Sequence, residues 1–93
     1  MNEIFESIEK ESIPFLKFPD SDVLVEGKDK YLRNSDLIRA QSLGNLEHSK
    51  MKIYFEDNES KKVVETTVWA VTNTTVVLKK GVEIPIKRIY KIV

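Results

Sequence analysis

The chain reads as a mainly β fold, all-β apart from one short N-terminal helix, folded into a small antiparallel barrel or a strongly bent sheet. Three observations predict this. Apolar and polar side chains alternate in four runs, Lys50 to Asp57, Lys62 to Thr72, Thr75 to Lys79 and Val82 to Val93, the period of strands buried on one side. The runs break at Asp57-Asn58, Asn73-Thr74 and Lys80-Gly81, residue types that favour turns. Between them there is too little chain for a helix, so successive strands return as antiparallel neighbours.

Taken in order, Asn2 to Glu11 is the predicted helix: Asn2 supplies a cap, Glu3 and Glu6 lie near the positive end of the helix dipole, and Ile4, Phe5 and Ile8 form one apolar stripe. At about ten residues it is marginal alone, so it is expected either to lie across an open end of the barrel or to dock on a partner. Pro14 stops it, and Ile13, Phe15, Leu16 and Phe18 make an apolar connector ending at Pro19-Asp20. Val23 to Glu26 and Lys30 to Arg33 flank Gly27-Lys28-Asp29 and suggest a first hairpin. Asp36 to Leu43 reads as the next strand, with Ile38 and Ala40 opposite Arg39 and Gln41, and Gly44 to Ser49 as a loop.

In Lys50 to Asp57, Met51, Ile53 and Phe55 point inward. Val63 to Thr72 is apolar on both faces, so it is central or bent enough to serve two sheets; Trp69 is assigned to the core. Val76 and Leu78 continue that core, and Val82, Ile84 and Ile86 follow Gly81. The period then slips from Ile86 to Ile89, which implies one tight turn at Lys87-Arg88 before a last short strand. Pro85 removes a backbone donor and belongs on an edge or at a bulge. The result is one domain over residues 1–93, with helix and connector in 1–20 and the barrel in 21–93.

Composition bounds the function. The 93 residues include 41% hydrophobic and 32% charged side chains and no cysteine, enough for one core and incompatible with disulfides or thiolate metal sites. No basic start followed by a long apolar run is present, so the chain is expected to be cytoplasmic and to span no membrane. The sequons at Asn58 and Asn73 are read as turn chemistry. Formal charge is zero, yet residues 1–49 hold six basic and ten acidic side chains and residues 50–93 nine and five. One half can attract anions, and the other can answer it within the molecule.

Catalysis needs titratable groups held in contact. The single histidine, His48, stands in a polar loop beside Glu47, the acidic residues 3, 6, 9 and 11 read as the wet face of a helix, and no phosphate loop occurs among three glycines. No enzyme activity, cofactor or metal is expected. Recognition remains. Lys50, Lys52 and Tyr54 share a strand face, and Lys79, Lys80, Lys87 and Arg88, with Lys61, Lys62, Lys91 and Tyr90, come from neighbouring strands and turns. Together they would form a basic face with an aromatic platform, suited to nucleic acid. The competing expectation is a protein-interaction adaptor or homodimer.

A helix followed by about five short strands, with one tight turn before the last, resembles the small SH3-like and Sm-like barrels. The run Val23-Leu24-Val25-Glu26, Lys30-Tyr31-Leu32-Arg33, Asp36-Leu37-Ile38-Arg39 and Leu43-Gly44-Asn45, with the tail Val77 to Ile86, is similar to the opening and closing strands of LytTR-type DNA-binding domains. Those domains carry a helix and a His-Arg-Ser segment between these ends, and Glu65 to Thr75 offers neither. Their DNA-contacting residues therefore have no counterparts here.

Overall fold

The computed structural model describes residues 4–93. Its centre is the predicted ribbon. β2 (Lys50–Glu56) buries Met51, Ile53 and Phe55 and turns Lys50 and Lys52 to solvent. It pairs antiparallel with β3 (Lys61–Val71), Lys50 facing Thr67 and Glu56 facing Lys61. Its other edge pairs with β6 (Ile89–Ile92), where Tyr90 is the extra residue of a bulge. Beyond Thr67, β3 leaves β2 and pairs with β4 (Thr75–Leu78), which pairs with β5 (Glu83–Pro85). The order is β5-β4-β3-β2-β6. Ile53, Phe55, Val68 and Ile84, all predicted to face inward, are fully buried.

The double apolar face of β3 has the expected cause: its two halves serve two parts of a bent sheet. The bend sits at a bulge between Val68 and Ala70, where one extra residue breaks the alternation. That residue is Trp69. It is 49% exposed, so its assignment to the core is corrected. Pro85 closes the short edge strand β5, and a 3-10 turn, Ile86–Arg88, leads into β6 as the slipped period required.

Between Val23 and Leu43 the expectation fails. No hairpin forms there and Asp36 to Leu43 is not a strand: Val23 to Glu26 is irregular, and a single helix, α1 (Gly27–Glu47), takes the rest, including Lys30 to Arg33, Asp36 to Arg39 and Leu43 to Asn45 of the runs similar to LytTR strands. Gly27-Lys28-Asp29 is its first turn. Arg33, Leu37, Ala40 and Gly44 form its buried stripe, and two of those four carry no apolar side chain worth the name. The stripe was therefore faint in the sequence. Helix and 3-10 segments make up 37% of the structure and strands 36%, so the fold is a β sheet with a substantial helix.

α1 also answers the question of closure. Arg33 donates to the Ile89 carbonyl at 2.9 Å, Arg39 to the Ile92 carbonyl at 2.7 Å, and Asp36 accepts the Ile92 N–H at 3.1 Å. These are backbone groups that a neighbouring strand would otherwise engage. The outer edge of β6 is thus occupied by helix side chains, β5 and β6 do not pair, and the sheet stays open.

At the N-terminus, Asn2 and Glu3 of the predicted helix lie outside the described residues. The rest of that segment is not an α-helix. Glu6–Ile8 forms β1, which pairs parallel with Lys62 to Val64 of β3, and Lys10–Phe15 is a 3-10 segment containing Pro14. Ile13 inserts into the core, and Phe18 packs on Phe55 with ring centroids 6.1 Å apart. The segment covers the chain's own sheet. The division at residue 20 into helix and barrel gives way to a strand and connector, then a helix, then the sheet.

Candidate functional site

The basic residues do not form one face. Lys50, Lys52 and Tyr54 share the outer face of β2, where Lys52 lies opposite Glu65 and Tyr54 opposite Lys91. The Lys91 ammonium stands 5.0 Å over the Tyr54 ring on the neighbouring strand, and that of Lys61 on β3 stands 5.5 Å over Tyr90 on β6, across β2, both cation–π contacts. Phe5 meets both tyrosines edge-on, at 5.0 and 5.8 Å between centroids, and the Tyr90 hydroxyl donates to the Glu56 carboxylate. The aromatic platform is therefore largely packed against the chain's own side chains.

The other candidates lie elsewhere. Lys79 and Lys80 are exposed on the turn after β4, with Lys80 in electrostatic reach of Glu11. Lys87 approaches Asp20 at 4.0 Å. Arg88 is buried: its guanidinium donates to the Glu56 carbonyl at 3.0 Å, the Ser21 carbonyl at 2.8 Å and the Asp57 carbonyl at 3.5 Å. It ties the end of β2 to the N-terminal connector. A buried arginine that donates to three backbone carbonyls and to the Ser21 hydroxyl is a structural strut, so Arg88 is corrected as a contact residue.

Lys62 is likewise internal. Its ammonium donates to Asp57 Oδ1 at 3.0 Å and Ser60 Oγ at 2.6 Å, with Glu6 at 3.8 Å. Burial pushes the Asp57 carboxyl up, but the Ser60 N–H, the Lys62 ammonium and the Glu59 N–H outweigh it and hold the group below the usual aspartate range. Asp22 is lowered first by its hydrogen bonds with Arg33, against burial, with help from the Leu24 N–H. The charge asymmetry is thus met in part inside the molecule: Glu6 with Lys62 and Asp20 with Lys87.

No group of acidic or histidine side chains among the described residues is arranged to hold a metal ion. His48 is exposed at the end of α1 in the left-handed conformation, its N–H donating to the Gly44 carbonyl. No helix among the described residues is long and apolar enough to cross a membrane. A cavity of about 500 Å³ runs between α1 and the aromatic cluster. Its Arg33 and Asp36 are committed to Asp22, Arg39 and the β6 backbone.

The feature that sequence reasoning missed is the outer face of α1. Tyr31, Ile38 and Leu46 are 72%, 67% and 79% exposed. They are seven and eight residues apart, about two turns each, and so share one side of the helix, opposite Arg33, Leu37, Ala40 and Gly44. Read as strands, these residues had no common face. The available signal was the absence of proline and the scarcity of β-branched residues from Gly27 to Glu47. Comparison with protein-family models, with curated proteins and with solved structures finds no match to this chain.

Proposed function

We propose that the protein is a non-catalytic protein-interaction module that presents the outer face of α1 on a small SH3-like barrel left open between β5 and β6. The strand order, the bent β3 and the 3-10 turn before the last strand support the barrel reading. One observation carries the functional part: three large apolar side chains stand in solvent on one side of a helix whose opposite side is docked. A folded domain gains nothing by itself from such a stripe, and exposed apolar surface of this kind marks contact sites. The sheet edges offer less. β1 and β5 are three residues long, β5 ends in Pro85, and the outer edge of β6 is taken. The basic residues support a nucleic-acid surface less well, because they are dispersed and several are paired.

The experiment is site-specific photo-crosslinking in cells. A photoreactive residue at Ile38 or Ser42 should give a discrete protein adduct, and one at Glu65 on the sheet should not. Adducts from Glu65 alone, or from none of these positions, reject the assignment.

A further inference from the structure

We infer that α1 is an autoinhibitory latch: its amino half covers the outer edge of β6, and when it lifts, that edge takes an extended strand of a partner protein. The inference goes beyond the outer-face reading and does not depend on it. Its first ground is the form of the cover. Asp36 accepts the Ile92 N–H and Arg39 donates to the Ile92 carbonyl, while the two side chains hold each other at 3.3 Å. Those are the two bonds that one residue of an antiparallel neighbour exchanges with its opposite. Arg33 adds a third at the Ile89 carbonyl. The edge is therefore intact as a pairing surface, and what occupies it is side chain, which water satisfies on release.

The second ground is the uneven seat of α1. Its carboxyl half rests backbone to backbone: a Cβ at Gly44 would lie 1.9 Å from the Val68 carbonyl oxygen. Along the amino half, Asp29, Leu32, Arg33 and Asp36 share one side of the helix and form one wall of the cavity of about 500 Å³, with Tyr90 and Lys91 of β6 across it. Packed interiors leave few voids larger than a water molecule, so the helix up to Asp36 is held on β6 chiefly by polar bonds. Leu24 to Glu26, just before it, belong to no helix or strand. The helix can therefore swing about its Gly44 end, with these residues as the second hinge. Arg33 is also tied to Asp22 at 2.9 Å, which keeps the latch closed in the isolated chain.

The chemistry of the occupant follows from what surrounds the edge. The outward groups of Ile89 and Ile92 fit an extended main chain that adds to the sheet. With α1 lifted, the wall of the cavity that stays behind carries Phe5 and Tyr90, which suit an apolar side chain, and the exposed Lys91, which suits an acidic one opposite it. Ile89 and Ile92 are buried on the inner face of β6, so the incoming strand must be apolar on that side and polar on the other, as β2 is.

The probe is a synthetic peptide copying residues 50–57 with Tyr54→Glu: Met51, Ile53 and Phe55 match the inner face, and the new acid lies on the Lys91 side. Fluorescence anisotropy with the full chain should give weak binding, and roughly tenfold tighter binding to Asp36→Ala with Arg39→Ala, because the open state is then more populated. Arg39→Ala alone, at a half-exposed side chain, should move affinity the same way and serves if the double variant folds poorly. Val76→Ala, buried in β4, loosens the fold without touching the latch and should leave binding unchanged. Nuclear magnetic resonance should place the bound peptide against Ile89 to Ile92. Equal affinity with and without the latch residues, no binding to any variant, tightening by Val76→Ala, or peptide contacts at another edge overturns the proposal. Crosslinking from the outer face of α1 does not bear on it, so either reading can fail alone.

Discussion

Gly44→Ala tests how α1 is seated, and its sign is the informative part. In an exposed helix, replacing glycine by alanine favours folding by about 1 kcal/mol. At Gly44 the new Cβ would lie 1.9 Å from the Val68 carbonyl oxygen, where ordinary contact begins at 3.4 Å. The obstacle is backbone and cannot swing aside, so the carboxyl half of α1 has to withdraw by about 1.5 Å. That movement lifts Ala40 and Leu37 from the sheet and stretches the bond from Arg39 to Ile92. Overpacking costs ~1–3 kcal/mol, and a rigid obstacle places this case near the top; subtracting the helix-propensity gain leaves a net loss of about 2 kcal/mol.

For a domain of this size such a loss lowers Tm by about 10 °C. Urea and thermal unfolding followed by circular dichroism measure it directly. Gly27→Ala is the control, because a Cβ there meets nothing within 4 Å, and its effect should stay within about 0.5 kcal/mol. An isolated peptide spanning residues 27–47 should become more helical with the same Gly44→Ala exchange. If the intact protein also gains stability from that exchange, the close seating of α1 on β3 is refuted, and with it the geometry that sets Tyr31, Ile38 and Leu46 outward.

Asp22 and Asp57 both have folded-state carboxyls held below their unfolded values, so their contribution is complete above the unfolded aspartate pKa of about 3.9 and is lost as pH falls through the folded values. Urea midpoints should drop between pH 5 and pH 3, and Asp22→Asn should lower stability at pH 7 and flatten that drop; an unchanged pH slope in the variant would show that Asp22 is not a source. His48 adopts φ 55° at the end of α1, a conformation that costs other residues more than glycine, so His48→Gly should raise stability by about 0.5–1 kcal/mol in urea unfolding, and a loss would argue against that cap. Titration with short single- and double-stranded nucleic acids at low salt should give only weak binding that is lost steeply as salt rises. Tight binding at low salt that falls steeply as salt rises and is abolished by joint substitution of Lys50, Lys52 and Lys87 would instead favour the basic surface.

Reading from residues succeeded where one local rule sufficed. β2 alternates strictly, β3 bends so that its two halves pair with β2 and β4, Pro85 ends an edge strand, and the slip between Ile86 and Ile89 is a 3-10 turn. It failed where burial is achieved by unusual means. α1 docks through Arg33 and Gly44 as well as Leu37 and Ala40, and it keeps Tyr31, Ile38 and Leu46 outside. Apolar side chains on both sides blurred the helical period, and Ile38-Arg39-Ala40-Gln41 imitated a strand. The same limit hid Arg88 and Lys62, since a lysine bound to Asp57 looks in sequence like a lysine in water.

By itself, then, the order of residues determined which stretches of the second half are strands, where they turn and which side chains fill the core, because alternation and turn chemistry act between near neighbours. The path of residues 4–47 and the identity of the free surface were decided only in three dimensions. There the unpaired edge of β6 met Arg33, Asp36 and Arg39 across more than fifty residues of chain, and an interaction of that range leaves no local period to read.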